Sequence, residues 1–177
     1  MRTVVLIPRR SDGGRRDAIW AWLATRWANE HPDWELFEGH HNDGPFNRSA
    51  ALNAASKAAG KWDVAVIADA DAFCDTDQLA RAVDQAATTG TMVIAYTQYC
   101  YLNQRMSDAV MAGFTGNWWD GVEFSLDTAC STMIVVGRKL WITNGIEADI
   151  FTVVFPSPTL NVPHVAAYSP SLASQRT

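Results

Sequence analysis

Cysteine is scarce in this chain. Cys74, Cys100 and Cys130 are the only three in 177 residues, odd in number and widely spaced. That points to neither a disulfide framework nor a zinc knuckle, and leaves them as small core residues. Charge is also limited, at 19% of residues with a formal net of -5 and a pI near 5.2, so the chain lacks the basic excess of a general nucleic-acid binder. Long apolar runs are missing too. After Met1-Arg2-Thr3 the run at residues 4–7 is too short for a signal peptide or a membrane span, and a cytosolic protein without a membrane span is expected. No internal repeat, heptad pattern or low-complexity tract appears. Proline is sparse until the end, where four of the seven fall, at Pro156, Pro158, Pro163 and Pro170. Over residues 152–177 the only charged side chain is Arg176.

What is present is 48% hydrophobic, enough for one sizeable core. Residues 64–71, Val-Ala-Val-Ile-Ala-Asp-Ala-Asp, organise it. The apolar run reads as a strand buried on both faces of a parallel sheet, and its carboxyl end, where α/β sheets bind ligands, carries Asp69 and Asp71. If the strand persists that far, the two carboxylates share a face. They then suit Mg²⁺ or Mn²⁺ with positions left open for a diphosphate. The alternative is that one aspartate caps the next helix and the other is solvated.

Strands and helices alternate around this stretch. Residues 3–8 read as the first strand. The basic loop after it, with Arg9, Arg10, Arg15 and Arg16, either receives phosphates or a nucleobase or is a solvated cluster. Residues 17–30 form an amphipathic helix through Ile19, Trp20, Leu23 and Trp27, ended by a solvated His31 and Pro32. Residues 34–37 make a second strand. His40 and His41 are expected as solvated loop histidines before the Asp43-Gly44-Pro45 turn. An Ala-rich helix follows over residues 46–60, and its Asn47-Arg48-Ser49 sequon is taken as chance. Asp75 and Asp77 read as caps of a helix over residues 77–87, residues 91–102 as one strand, and residues 103–112 as a short helix. The glycine-punctuated loop 113–121 displays Trp118 and Trp119 as a sugar or acceptor platform or as core packing. Residues 128–137 read as another buried strand and residue 138 begins a helix. Glu123 and Asp127 just before are expected as solvated carboxylates. Residues 1–150 make one α/β domain with a mainly parallel sheet at first and a mixed continuation, and residues 151–177 an irregular proline-rich tail covering an edge or docking on a partner.

The order of Pro8-Arg9-Arg10, Asp43, Phe46-Asn47-Arg48-Ser49-Ala50-Ala51-Leu52-Asn53-Ala54-Ala55 and Asp69-Ala70-Asp71 resembles the nucleotide-sugar half of GT-A glycosyltransferases. It is similar to family 2 and to the amino-terminal lobe of polypeptide N-acetylgalactosaminyltransferases, phage-encoded members included. The resemblance spans residues 3–145 and implies a GT-A, Rossmann-like fold. It implies a nucleoside-diphosphate sugar as donor, a UDP-sugar favoured, with Mn²⁺ or Mg²⁺ as cofactor and a protein or glycan as the unidentified acceptor. Pro8, Arg9, Arg10 and Asp43 would hold the nucleoside, Asn47, Arg48 and Asn53 would border the nucleotide and sugar phosphate, and Asp69 and Asp71 would form the acid-x-acid motif. A late histidine completes the metal shell in some related enzymes, which makes His164 a candidate ligand.

After Asn144-Gly145 the sequence departs from the family. The usual Trp-Gly-x-Glu-Asp segment is absent, and Glu147 and Asp149 are the only late acids left as replacement bases. Two other readings stay open. A non-catalytic nucleotide-sugar-binding or assembly module would use the tail to pair with a partner or a second copy. A haloacid-dehalogenase-like phosphatase also carries Asp-x-Asp at a strand end, but there the motif usually opens the chain.

Overall fold

The computed structural model describes residues 1–127, 132–144 and 165–167, with side chains through residue 141. Strand β1 (Thr3–Arg9) leads into helix α1 (Arg15–Glu30), β2 (Glu35–His40), α2 (Arg48–Ala59) and β3 (Val64–Ile67). β1 pairs in parallel with β2 on one side and β3 on the other. Further along come β4 (Ala72–Phe73), α3 (Thr76–Thr89), β5 (Val93–Ile94), β6 (Tyr99–Leu102) and α4 (Gln104–Met111). A 3-10 turn (Trp118–Gly121), β7 (Val122–Leu126), β8 (Ile134–Gly137), α5 (Arg138–Asn144) and β9 (Val165–Ala167) complete the order. The main sheet runs β2-β1-β3-β8-β5 and a smaller one β4-β9-β6-β7. β8 is antiparallel to both β3 and β5. The architecture is therefore an α/β domain with a mixed sheet, parallel in β2-β1-β3 and flanked by helices.

Period-two alternation divides the central strands between two cores. Val5, Ile7, Val64 and Val66 pack with Ile19, Trp20, Leu23 and Trp27 of α1 and with Leu79, Ala82 and Val83 of α3. Val4, Leu6, Ala65 and Ile67 face the other way, onto Leu52, Ala55 and Ala59 of α2 and onto Trp62. All of Val64–Ile67 is buried, as a strand covered on both faces requires. Asn47, Asp75 and Asn103 cap α2, α3 and α4 by accepting the backbone N–H three residues on. Gly90, in the left-handed region at φ 68°, closes α3.

Several sequence expectations are corrected. β2 continues through Glu38-Gly39-His40, because Gly39 has no side chain to hold α2 away: a Cβ there would sit 1.7 Å from the Ala51 carbonyl oxygen. Residues 91–102 are not one strand. β5 belongs to the main sheet and β6 to the small one, and the chain crosses between them at residues 95–98. β7, not foreseen as a strand, pairs antiparallel with β6. His31 is buried, not solvated, with its ring stacked on Trp34 at 3.9 Å. Within the segment expected to be irregular, Val165–Ala167 forms a strand between β4 and β6. Cys74 and Cys100 are free and buried, as expected, while Cys130 lies outside the described residues. Among the described residues no helix is long and apolar enough to cross a membrane.

Candidate functional site

Topology decides which side chains meet. β1, β2 and β3 are parallel, so their carboxyl ends lie along one edge, and the helices after β1 and β2 begin there. α1 brings Arg16 in its first turn, α2 opens on Arg48, and β3 delivers the acid pair. β8 runs the opposite way, so Thr132, just before it, arrives at the same edge. None of these four contributions is adjacent to another in sequence.

The acid pair stands beyond the strand rather than on it. β3 ends at Ile67. Ala68 N–H still reaches the Leu6 carbonyl at 3.2 Å, but the Asp69 N–H donates to the Thr132 hydroxyl at 2.9 Å, and a turn from the Asp69 carbonyl to the Ala72 N–H follows at 3.3 Å. The same-face argument from strand alternation therefore does not apply. The physical reason is that continuing the strand would push ionised carboxylates into a doubly covered sheet, whereas a turn lets each find its own cation. Asp69 accepts Nε and Nη2 of Arg48 on one oxygen, at 3.2 and 3.0 Å. Asp71 has a looser partner, Arg16 Nη2 at 3.5 Å.

That difference shapes the electrostatics. The Asp71 side chain is 15% exposed. Its carboxyl is pushed up to about 6 by burial first and by the neighbouring Asp69 charge second, with Arg16 opposing both. On one side Asp71 borders a small apolar crevice walled by Ile19, Trp22, Phe73, Leu102 and Met111, with Ser107 as its polar member. Ser107 donates its hydroxyl to the Asn103 carbonyl, which fixes it on α4.

The basic loop after β1 is braced internally. Pro8 is buried. Arg9 is clamped between Asp17 and Glu38 and lies over the Trp20 ring. Arg10 donates to the His41 and Gly44 carbonyls, with Phe46 against its guanidinium. The N–H groups that would cradle a phosphate at the start of α1 are taken by the chain's own carboxylates. Asp12 accepts from Gly14, Arg16 and Asp17, and Asp17 from Gly13. These bonds hold both acids below the ordinary carboxylate range, led by the Gly14 N–H for Asp12 and the Ser11 hydroxyl for Asp17. Arg15 pairs with Asp108 of α4 at 2.7 Å.

The remaining candidates are scattered. Asp43 is exposed in the loop before α2. Asn47 spends its side-chain oxygen on the Ala50 N–H and donates its own backbone N–H to His41 Nδ1, so it shapes the entry to α2. Asn53 is half-buried on α2. Trp118 and Trp119 stack with centroids 5.2 Å apart and planes at 14°. Trp118 packs on the Leu102 and Met106 cluster, and Trp119 is 39% exposed. Phe73 also packs there, two residues after Asp71, so the tryptophan pair joins the acid turn through shared packing. Glu147, Asp149 and His164 lie outside the described residues. Among the described residues no three His, Cys, Asp or Glu side chains converge as a metal cluster.

From the sequence Arg16 was visible only as one of the four arginines of the basic loop, without a link to the acid pair, and Thr132 was not singled out. The link was legible in part: three residues before Ile19 and seven before Leu23, Arg16 continues the line of that stripe to the exposed start of α1, where its side chain is 54% exposed. Thr132 carried no local signal, since its role depends on an antiparallel strand. Compared with protein-family models and with curated proteins, the chain has no significant match.

Proposed function

We propose that this chain is a metal-dependent, GT-A-type glycosyltransferase domain that takes a nucleoside-diphosphate sugar, a UDP-sugar by preference. α/β domains of this shape serve many chemistries. What favours glycosyl transfer is the sequence resemblance over residues 46–55 and 69–71, together with one structural observation. Asp69 and Asp71 leave the central strand at its carboxyl end, with an arginine from each of the two preceding helices beside them.

The donor set fits a hard divalent cation. Two carboxylates at one turn, one of them destabilised as an anion by burial and by its neighbour, gain from a cation that shares their charge, and Mg²⁺ and Mn²⁺ sites commonly use one or two carboxylates plus substrate phosphates. Asp69 and Asp71 would hold it. When bound, it would offset the charge that develops on a diphosphate leaving group. Arg48 at Asp69 and Arg16 at Asp71 supply positive charge beside the pair, suited to phosphate oxygens. The apolar crevice beside Asp71 keeps water from one flank of the turn. Trp119 offers a flat ring face for a sugar.

The deciding experiment is calorimetric titration of UDP, GDP and their sugars into the intact protein and Asp71→Ala, with and without Mn²⁺. Binding that needs both the metal and Asp71 supports the donor site. Equal binding by both proteins, or none by either, overturns it.

A further inference from the structure

The two aspartates are neutralised unequally, and the looser pairing has a consequence for how a donor would enter. Arg48 places two N–H groups on one oxygen of Asp69, and both side chains are about equally shielded, at 28% and 30% exposed. Arg16 meets Asp71 with a single nitrogen at 3.5 Å, at the outer limit of a hydrogen bond. The exposures diverge as well: Asp71 is at 15%, Arg16 at 54%. A guanidinium so exposed keeps its hydration when it lets go, whereas a buried carboxylate left alone does not. Asp71 therefore needs a cation close by, while Arg16 does not need Asp71.

We infer that Arg16 is an exchange residue: it neutralises Asp71 until a divalent cation takes its place, and the released guanidinium then engages the diphosphate that enters with the cation. The inference rests on the donor-site reading above. Geometry favours it over a permanent pair. Arg16 is anchored in the first turn of α1, whose backbone is locked by Asp12 and Asp17, so only its flexible side chain has to move. Arg9 and Arg10 are braced by Asp17, Glu38 and the carbonyls of His41 and Gly44, and Arg15 by Asp108. Of the four arginines in this loop and helix start, Arg16 has the most exposed side chain among the three whose ion pairs define them and the longest contact. A charge-assisted bond to phosphate is stronger than the one it gives up.

The prediction has opposite signs for two ligands. Mn²⁺ alone is titrated into the intact wild-type protein, Arg16→Ala, Arg16→Lys and Asp71→Ala, followed by UDP at saturating Mn²⁺, with thermal melts confirming that each variant is folded. Arg16→Ala removes the competitor, so Mn²⁺ alone binds about fivefold tighter, while UDP in the presence of Mn²⁺ binds about tenfold weaker. Arg16→Lys keeps a charge near Asp71 but lacks the planar fork, so its Mn²⁺ affinity stays near wild type and its UDP affinity falls. If Arg16→Ala binds Mn²⁺ no tighter than wild type, or binds UDP equally well, the exchange is wrong even though Asp71-dependent binding by the wild type keeps the donor site. If the wild type binds neither Mn²⁺ nor UDP, both fall together.

Discussion

Arg48, the first residue of α2, donates Nε and Nη2 to the same oxygen of Asp69, at 3.2 and 3.0 Å. The bond ties the start of one helix to the turn after the central strand, so it serves both fold and site. Arg48→Ala leaves Asp69 without this partner beside a second carboxylate. At a half-exposed site, solvent screens much of the loss, and the expected destabilisation is about 1 kcal/mol, read as a shift in urea midpoint. Metal-dependent UDP affinity should drop about tenfold or more. Arg48→Lys restores the charge but not the two-nitrogen contact, and should recover stability better than affinity. Unchanged UDP binding in Arg48→Ala would remove Arg48 from the site.

Asp71 links stability to pH in an unusual direction. Its carboxyl is raised from an ordinary 3.8 to about 6, so the native state holds its proton more tightly than the unfolded chain does. Its contribution is fully present below pH 3.8, declines as pH rises, and is lost above about 6. The shift corresponds to about 3 kcal/mol at most. Asp71→Asn should therefore raise stability at pH 7.5 by about 1 to 3 kcal/mol and change little near pH 4. Divalent-cation uptake by the wild type should weaken as pH falls through 6, since the proton competes for the same oxygens. Urea unfolding at the two pH values checks the first point, and an Asn variant less stable than wild type at pH 7.5 would contradict it.

Much of the fold was legible because local signals agreed. The unbroken apolar run of β3 read as a doubly buried strand, the four-residue spacing of Ile19, Leu23 and Trp27 as α1, and Asp75 and Asn103 stand where helices begin. What escaped was set by distant partners. Residues 91–102 look like one β-rich run, yet β5 and β6 part company because β8 claims one and β7 and β9 the other. At the site, the acid pair and Arg48 were visible as residue types, but their pairing was not. Nor was the filling of the α1 N–H groups by Asp12 and Asp17, since a loop that looks basic in composition can still be neutralised by its own acids. His31 beside a proline looked like a solvated helix end, and only the tertiary stack on Trp34 buries it.

Gly39 isolates the β2 and α2 contact. A Cβ at this position would lie 1.7 Å from the Ala51 oxygen and 2.9 Å from the Ala55 nitrogen. Those atoms are helix backbone and cannot rotate away, so Gly39→Ala must push α2 off the sheet. The expected cost is about 3 kcal/mol, seen as a lower urea midpoint or loss of soluble protein. Gly44 provides the contrast. It sits at φ 58° with nothing within 4 Å of where a Cβ would lie, so Gly44→Ala costs only backbone strain, about 1 kcal/mol. Similar melts for the two alanine variants would mean that β2 and α2 are not packed this closely.

His31 should produce an acid limb in the stability curve. Its ring is 7% exposed, stacked on Trp34 and 5.5 Å from Trp27. Burial lowers its pKa from 6.5, with Glu30 opposing and Arg26 reinforcing the shift. The native state prefers the neutral ring, so this contribution is fully present above pH 6.5 and is lost as pH falls through the lower folded-state value. Asp71 works the other way over part of the same range, and the wild-type curve mixes the two. The His31 limb is therefore best measured in Asp71→Asn, by urea unfolding from pH 7.5 down to about 5, above the range where the depressed Glu38 carboxyl begins to contribute. Stability should decline over that interval, and adding His31→Phe, which keeps a ring against Trp34 but cannot take a proton, should flatten it. An equal decline with Phe at position 31 would show that the proton goes elsewhere.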